Sequence, residues 1–254
     1  MRFSDYNNIV EEEVDLDGEV LKFVSNIQRS IISNNKQREP SNYYSPSSMR
    51  CARNMYYKRK GVKTESSWFP YYMVGITQVG EFRHEKLQNI ISNLKYKQFE
   101  WIDIQEYLAK KELDNIEFKG YDGVEAILRD KKNMISFRCD GLIKLGDTYL
   151  VLEIKTETQD KFKAREAVAK EHLSQITSYC NSLDVDKALF IYENRSNCIM
   201  KAFVVNVTEK DKLELRDKIA YTENCYQTGV LPKAEPSKEN CQYCRYKIKC
   251  GEGV

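Results

Sequence analysis

The stretch "FRCDGLIKLGDTYLVLEIKTE", residues 137–157, holds two runs of alternating apolar and polar residues on either side of a Gly-Asp pair at 146–147. Such alternation indicates half-buried β-strands, and Gly-Asp between two runs is typical of a two-residue hairpin turn. With that turn, Asp140 faces Glu153 across the hairpin. Directly opposed Cβ atoms lie roughly 4.5–5.5 Å apart, where two like charges are destabilising.

Two arrangements would offset that repulsion. In the first, salt bridges neutralise the acids, since the same register places Arg138 opposite Lys155. In the second, a divalent cation binds between the carboxylates, because Mg²⁺ prefers hard oxygen ligands and uses one or two carboxylates together with waters and substrate phosphate. The two acids alone leave both arrangements open.

The composition bounds the class of protein. The 254 residues carry a net charge of +2, from 40 basic and 38 acidic side chains, so the chain can bury a sizeable core and any basic surface must be local. Its apolar runs are shorter than the ~20 residues of a membrane helix, and its acidic N-terminal segment lacks the apolar core of a signal peptide. We therefore expect a cytoplasmic, reducing compartment and no membrane contact. Eight cysteines there indicate metal or redox chemistry rather than disulfides.

The order of the predicted elements indicates an α/β fold with a mixed central sheet flanked by helices. We expect strands near 122–129, 134–145, 148–157, 187–193 and 199–206. Helices are expected over about 1–32, from the Ser45-Pro46 cap to Gly61, and over 72–95, 160–181 and 208–228. The chain then divides into a helical lead-in at 1–40, an N-terminal helical part at 41–96, a core at 97–230 with a small helical insertion near 97–119, and a loop-like, cysteine-rich tail at 231–254.

The predicted strand over 148–157 carries Glu153 and Lys155 on one face, with Ile154 between them. An acid-x-Lys pair beside a facing aspartate is known from phosphodiesterases, in which a metal polarises a phosphate oxygen and lowers the pKa of a bound water. The lysine would orient that water or offset charge in the transition state. Because Glu-x-Lys is common, the pair needs support from other residues.

His84 is one of two histidines and lies in the predicted helix over 72–95. Its helical face points inward, because it is shared with Gly80 and with the apolar residues Leu87, Ile91 and Leu94. A neutral imidazole is a good third ligand beside two carboxylates. A hydrogen-bonded core histidine explains the same pattern, and the residues alone leave both interpretations open.

Gln175 and Tyr179 are four residues apart in the predicted helix over 160–181, with His172 about one turn earlier. Residues at this spacing share a helical face. A short strand–helix connection returns this helix over the sheet, so we expect Gln175 and Tyr179 to face the two acids. The alternative is a polar helix face on which Tyr179 is merely half buried.

Three cysteines form a C-x2-C-x5-C pattern in the tail, at Cys241, Cys244 and Cys250. Thiolates clustered in a segment with little core of its own indicate a metal site. Cys51 is the best fourth ligand, because the other cysteines, among them Cys139, lie in ordinary helix or strand contexts. Zinc and an iron–sulfur cluster both accept four thiolates, and a disulfide with spare thiols is a further alternative.

These motifs together resemble the RecB-type branch of the PD-(D/E)XK nucleases, and more closely the iron–sulfur exonucleases associated with CRISPR adaptation and their phage-borne relatives. The resemblance runs from about Tyr44 to Cys250. Its motifs, in order, are "CARNMYYKRKG", Gly-x3-His, the aspartate of "RCDGLI", Glu-x-Lys in "LEIKT", Gln-x3-Tyr in "QITSY" and C-x2-C-x5-C. It implies a restriction-endonuclease-like core with a cysteine-cluster clamp that joins the N- and C-terminal segments.

In that family the histidine, the aspartate and the glutamate bind the catalytic Mg²⁺ or Mn²⁺, together with the main-chain carbonyl between the glutamate and the lysine. The resemblance therefore implies a metal site made by His84, Asp140, Glu153 and the carbonyl of Ile154. It also implies that Lys155 is the catalytic lysine, acting beside the two acids.

The resemblance assigns Gln175 and Tyr179 to the support of the site and to the DNA. We expect Tyr179 to stack on a base, which is worth roughly 1–3 kcal/mol, and Gln175 to donate a hydrogen bond at the site. For His172 an ordinary solvated position is expected rather than a DNA contact. The four candidate ligand cysteines would hold a structural [4Fe–4S] cluster, with Zn²⁺ as the alternative.

The sequence thus predicts a metal-dependent DNA nuclease that acts on ends or single strands, in the cytoplasm or, if phage-encoded, in the host cytoplasm. A protein partner in recombination or CRISPR adaptation is consistent with the resemblance. Two rival hypotheses remain. One is a catalytically weak protein with the same fold that binds nucleic acid or acts as an inhibitor or adaptor, and the other is a zinc-clamped scaffold with an incidental pair of carboxylates.

Overall fold

The computed structural model describes residues 16–33, 41–63, 71–95, 97–242 and 244–251. The helices in these ranges are α1 (Leu16–Ser33), α2 (Ala52–Arg59), α3 (Tyr71–Ser92), α4 (Ile104–Lys110), α5 (Gln159–Lys163), α6 (Lys170–Leu183), α7 (Glu209–Thr228), α8 (Lys238–Cys241) and α9 (Lys247–Cys250). None of these described helices is both long enough and apolar enough to span a membrane. The first 15 residues of the predicted lead-in lie outside the described ranges.

The chain divides into two compact units. Among the described residues, one unit contains α1 and the first part of α3, up to residue 79. The other unit contains α3 from residue 80 onward, both β-sheets and the remaining helices. All candidate site residues belong to this second unit.

The described strands form two sheets, and in chain order they are β1 (Phe99–Trp101), β2 (Ile116–Asp122), β3 (Glu125–Asp130), β4 (Ile135–Cys139), β5 (Gly141–Leu145), β6 (Thr148–Glu157), β7 (Lys187–Asn194) and β8 (Met200–Asn206). The larger sheet has the order β1-β5-β6-β7-β8, in which β6 and β7 are parallel and the other neighbours antiparallel. The smaller sheet, β2-β3-β4, is antiparallel. The predicted α/β class with a mixed central sheet flanked by helices is confirmed.

The hairpin between β5 and β6 has the predicted register, in which Gly141 pairs with Leu152. Gly146 has a φ of 58° in the turn, a conformation that glycine adopts without steric cost. The single strand predicted over 134–145 is wrong, however, because β4 pairs with β3 in the smaller sheet whereas β5 pairs with β6 in the larger one. Asp140 is the residue at which the chain passes from one sheet to the other.

Arg138 does not lie opposite Lys155, so that part of the salt-bridge prediction is wrong. Arg138 belongs to β4 and pairs with Ile127 of β3. Its guanidinium contacts the carboxylates of Asp122 and Glu125 instead. The reason is the change of sheet between β4 and β5, which ends the pairing with β6 before Arg138 is reached.

Strand β6 is buried on both faces, although its alternation predicted a half-buried strand. Leu152 and Ile154 belong to an apolar cluster with Leu87 of α3. Val151 belongs to the main core, together with Ile176 of α6. Because helices cover both faces of the sheet, the polar side chains of β6 lie in an interior that is largely shielded from water.

Two predicted helices are divided, and the predicted insertion is partly extended. The segment from Pro46 to Gly61 forms a 3₁₀ helix, Pro46–Ser48, and then α2, with Cys51 in an extended conformation at the N-cap of α2. The segment over 160–181 forms α5 and α6. The insertion near 97–119 contains α4 as expected, but it also supplies the edge strand β1 and the start of β2, and the tail contains the short helices α8 and α9.

Candidate active site and cysteine pocket

Asp140 is held by the backbone of β6 and by the packing around its neighbour. Its Oδ2 atom accepts a hydrogen bond from the backbone N–H of Ile154, at an N–O distance of 2.7 Å. Its carbonyl oxygen accepts one from the side chain of Gln88 in α3, at 2.9 Å. Position 141 requires glycine, since a Cβ atom on Gly141 would lie 2.4 Å from the Cη2 atom of Trp101.

His84 lies on the inward side of α3, as predicted, and contacts two carboxylates. Its Nε2 atom is 2.6 Å from Oδ2 of Asp140, and its Nδ1 atom is 3.2 Å from Oε1 of Glu125. Burial opposes protonation of the ring, but the hydrogen bonds to Asp140 and Glu125 raise the pKa of His84 to about 10. The resulting imidazolium offsets part of the repulsion between the acids when no cation is bound.

Glu153 lies on β6 and is 1% exposed. Its Oε1 atom contacts the ammonium group of Lys155 and accepts a hydrogen bond from Gln175 at 2.8 Å. Its Oε2 atom is buried and has no hydrogen-bond partner among the described residues. Burial and the Asp140 carboxylate raise the pKa of Glu153 to about 7, although Lys155 opposes this shift. One carboxylate oxygen is therefore left without a partner in the interior of the site.

Lys155 stays protonated beside this carboxylate. Burial disfavours its charge, but the carboxylates of Glu153 and Asp140 outweigh burial and raise the pKa of Lys155 above its ordinary value. Part of the predicted salt-bridge arrangement is therefore present, with Lys155 rather than Arg138 as the neutralising group. The Lys155 side chain as a whole is 26% exposed.

Gln175 and Tyr179 face the acids, as predicted, but they are not equally accessible. The amide of Gln175 donates to Glu153 and also to the hydroxyl oxygen of Tyr179, at 2.9 Å. The Tyr179 side chain is 4% exposed, and its ring stacks on Phe137 with a centroid separation of 5.0 Å. The prediction that Tyr179 stacks on a base is therefore wrong, because its ring is part of the core. The contact of Gln175 with DNA stays a prediction.

His172 is not a solvated histidine, contrary to the prediction. Its Nδ1 atom is 2.9 Å from the hydroxyl of Tyr192, and its ring stacks on Phe190 at 6.2 Å between centroids. Burial, with the positive charges of Lys155 and Arg165, lowers the pKa of His172 to about 3. The side chain is therefore neutral and packs between α6, which carries it, and β7.

The side chains at this site fit a divalent cation such as Mg²⁺ or Mn²⁺. The described residues bring ligand atoms of His84, Glu125 and Asp140 within 4.8 Å of one another. Glu153 is not in that set, but the Oε2 atom of its buried carboxylate has no hydrogen-bond partner among the described residues, and such an atom costs about 1–3 kcal/mol, or more for a charged group. Carboxylates and imidazole suit such a cation. The part of the Ile154 carbonyl in this ligand set stays a prediction.

The four predicted ligand cysteines line one pocket between α2 and the C-terminal segment, and they are Cys51, Cys241, Cys244 and Cys250. Two side chains of α2 donate to its sulfur atoms. Nη1 of Arg53 lies 3.6 Å from the Sγ atom of Cys250, and Nδ2 of Asn54 lies 3.5 Å from that of Cys244. Four cysteines on one pocket suit a metal centre with four sulfur ligands.

Around this pocket α2 is attached to a segment distant in sequence. The Nε atom of Arg53 donates to the carbonyl of Pro232 at 2.8 Å, and the backbone N–H of Ala52 donates to Glu235 at 2.8 Å. The rings of Tyr57 and Tyr246 pack at 5.3 Å between centroids. The predicted meeting of the N-terminal helical part with the tail thus rests on direct polar and aromatic contacts.

The remaining cysteines do not line the pocket. Each of the eight cysteines is a free thiol. Cys139 and Cys180 are fully buried, and burial raises the pKa of both thiols, that of Cys180 to about 12. Neutral buried thiols are poor metal ligands and nucleophiles, in line with the exclusion of Cys139 from the predicted ligand set.

Three residues of the site were not found by sequence reasoning. Gln88 is four residues after His84, and this helical spacing could have revealed it. Arg83 forms a 2.6 Å salt bridge with the fully buried Glu193 of β7 and so anchors α3 beside His84. Glu125 comes from the smaller sheet, and no spacing in the sequence connects it to the other residues.

Comparison with solved structures shows the fold. The crystal structure of SSO0001 aligns with 91% of this chain and 98% of its own, at 14% sequence identity and a TM-score of 0.51. The alkaline exonuclease LHK-Exo from Laribacter hongkongensis aligns with 79% of this chain and 93% of its own, at 10% identity and a TM-score of 0.42. Its complex with dAMP covers 74% and 89%, again at 10% identity and 0.42. The first likeness shows a shared fold, whereas the scores of the exonuclease are too low to support an inference.

Comparisons of sequence add no family. No protein-family model matches the chain. The homeobox-like protein HDP1 of Plasmodium falciparum (isolate NF54) is 29% identical over 99 residues, which is 39% of this chain. This match covers 3% of the length of that protein. Function must therefore be argued from the site.

Proposed function

We propose that this chain is a divalent-metal-dependent DNA nuclease that hydrolyses phosphodiester bonds at ends or in single strands. The observation that carries the proposal is the convergence of His84, Asp140, Glu153 and Lys155 on one shielded site, where Oε2 of Glu153 has no partner among the described residues. Two acids, a histidine and a lysine are the components that metal-assisted hydrolysis of a phosphodiester requires.

The two acids and the histidine would hold the cation. Asp140 and Glu153 supply hard oxygen ligands, and His84 supplies the nitrogen that now faces Asp140. The sequence resemblance adds the carbonyl of Ile154. When bound, the cation supplies positive charge beside the scissile phosphate and lowers the pKa of water. Asp140 and Ile154 keep the ligands together through the hydrogen bond between them.

Lys155 has a separate role in this mechanism. Its protonated amine, held against Oε1 of Glu153, donates hydrogen bonds that orient the attacking water. The same charge offsets the negative charge that develops on the phosphate oxygens in the transition state. Gln175 keeps Glu153 in position, and the hydroxyl of Tyr179 accepts a hydrogen bond from Gln175 and so fixes its amide.

The choice of DNA follows from the resemblance to the iron–sulfur exonucleases of CRISPR adaptation, as does a protein partner in recombination or CRISPR adaptation. With a net charge of only +2, contacts with the phosphate backbone require a local positive surface. The cations at the C-terminal end of β6 are Lys155, Arg165 and Arg195; the first two pair with Glu153 and Glu157, whereas Arg195 donates to the carbonyl of Thr156.

We also propose that the cysteine pocket holds a structural [4Fe–4S] cluster. The support is the convergence of four cysteines on one pocket between α2 and the C-terminal segment, together with the sequence resemblance. Four thiolates also suit a tetrahedral zinc, and the choice of the cluster follows from the sequence resemblance. Iron, sulfide and zinc analysis of anaerobically purified protein distinguishes the two.

Digestion of labelled DNA tests the nuclease proposal. End-labelled single-stranded and double-stranded DNA, with circular DNA as the control, would be incubated with purified protein and Mg²⁺ or Mn²⁺. We expect linear DNA to be shortened from its ends only when the cation is present. Binding of the same DNA without any cleavage, under every cation, would overturn the proposal in favour of the nucleic-acid-binding adaptor.

A further inference from the structure

The imidazole of His84 is contacted on both of its nitrogen atoms by carboxylates, one from Glu125 in β3 and one from Asp140 between β4 and β5. The Nε2 side faces Asp140 at 2.6 Å, and the Nδ1 side faces Oε1 of Glu125 at 3.2 Å. Only the Nε2 side points toward the acid that is hydrogen-bonded to β6. The second carboxylate therefore contacts the ring nitrogen that does not face Asp140, and ligand atoms of the three residues still lie within 4.8 Å of one another.

Glu125 is positioned by the smaller sheet, whose last strand, β4, ends at the residue before Asp140. It begins β3, and its neighbour Ala126 pairs with Cys139, the residue before Asp140. The side chain of Glu125 is 22% exposed, and its Oε2 atom lies 3.8 Å from Nη1 of Arg138. Strand pairing thus fixes Glu125 and Asp140 relative to each other, and Arg138 holds the far oxygen of Glu125 while its near oxygen faces His84.

A histidine that binds a metal through one ring nitrogen commonly donates the other N–H to a carboxylate, which fixes the orientation of the ring and raises its basicity. Here the geometry offers that partner to Nδ1 and leaves Nε2 for the metal side. We propose that Glu125 is a positioning residue that accepts the Nδ1–H of His84 and directs Nε2 toward the cation. This inference rests on the proposed metal-dependent function.

A direct measurement is the affinity of the DNA-free protein for Mn²⁺, by calorimetry. Glu125→Ala should weaken Mn²⁺ binding about 10–100-fold, as is typical for loss of such a partner. Glu125→Gln keeps an oxygen that accepts the Nδ1–H, so its affinity should stay within about three-fold of the wild type. Glu117→Ala is the matched control, because Glu117 lies on the same sheet but pairs with Lys119 rather than with His84; its affinity should not change.

Asp140→Ala separates this inference from the proposed function. If Asp140→Ala loses Mn²⁺ binding but Glu125→Ala binds as the wild type does, Glu125 has no positioning role and the metal site stands. If Glu125→Gln is as weak as Glu125→Ala, the carboxylate acts as a ligand or a charge, and the positioning role is overturned. If Asp140→Ala itself binds Mn²⁺ normally, the proposed metal site is wrong. Retention of the wild-type thermal unfolding temperature shows that each variant is folded.

Discussion

The Asp140 carboxylate accepts a hydrogen bond from the backbone N–H of Ile154, so the first acid of the site is fastened to the strand that carries the second. Glu153 and Lys155 flank Ile154 on β6, in the interior of the larger sheet. The geometry of the site therefore depends on a strand and not on a mobile loop, which is the more precise support for a catalytic group. Single substitutions on β6 should alter the chemistry more than the fold.

Lys155→Met should lower kcat for DNA cleavage by about 100-fold or more, because it removes the charge that we propose stabilises the transition state. The Mn²⁺ affinity should be retained, since both carboxylates remain. Lys144→Met is a suitable control, because Lys144 lies on the neighbouring strand β5 and its ammonium group pairs with Asp147 in the turn. Cleavage by Lys155→Met at the wild-type rate would exclude this role.

Gln175→Ala should reduce kcat by about 10-fold or more, because Glu153 loses the amide that positions it. Affinity for single-stranded DNA, measured in Ca²⁺ to suppress cleavage, should change little if Gln175 acts only through Glu153. A loss of DNA affinity with unchanged kcat would instead show that Gln175 contacts DNA. Tyr179→Phe keeps the ring packed on Phe137. It should lower the free energy of unfolding by only about 0.5–1.5 kcal/mol, the contribution of one hydrogen bond.

The pH dependence of stability should contain a contribution from His172. Its folded-state pKa of about 3 lies below the ordinary value of 6.5. Its stabilising contribution is therefore complete above the ordinary pKa and is lost as the pH falls toward the folded-state value, because only the unfolded chain takes up the proton. Between about pH 7 and pH 5, the loss is at most about 2 kcal/mol.

Urea unfolding of the wild type and of His172→Phe at these two pH values measures the contribution of His172 to the pH dependence of stability. The ring of the variant can still stack on Phe190, and the lost hydrogen bond to Tyr192 affects both pH values equally. The stability advantage of the wild type should shrink at the lower pH. An advantage that is the same at both pH values would show that His172 titrates normally.

Much of the site could be predicted because its residues lie on regular elements. The two-residue turn fixes the β5–β6 register, and this register predicted that Asp140 and Glu153 come together. Helical spacing predicted the direction of His84 and that Gln175 faces the site. These inferences depend only on local periodicity, which a sequence displays directly.

The errors arose where tertiary structure overrides local pattern. Alternation continues unbroken through Asp140, although the chain changes sheets there, so the position of Arg138 was wrong. The core position of Tyr179 depends on its contact with Phe137 of β4, which belongs to the smaller sheet. Glu125 also comes to the site from the smaller sheet, because it belongs to β3. Contacts that bring residues of the smaller sheet to the site leave no periodic signal in a single sequence.

Protein that contains the proposed iron–sulfur cluster should be brown. Replacement of any one of the four pocket cysteines by serine should remove this colour and lower the iron and sulfide content of the protein. Each variant should also be less stable, because the cluster would tie α2 to the C-terminal segment. Cys198→Ser is the control, since Cys198 is exposed and does not line the pocket. Stoichiometric zinc and no iron in anaerobically prepared wild type would refute the cluster assignment.

The central claim is that Asp140 and Glu153 together support metal-dependent hydrolysis of DNA. The most direct measurement is the rate of release of end label from single-stranded DNA in Mn²⁺ by the wild type, Asp140→Asn and Glu153→Gln. Both variants keep the size of the side chain but remove the negative charge that a cation requires. We predict cation-dependent cleavage by the wild type and loss of at least about 1000-fold in each variant. Cleavage by Glu153→Gln at the wild-type rate would contradict the account.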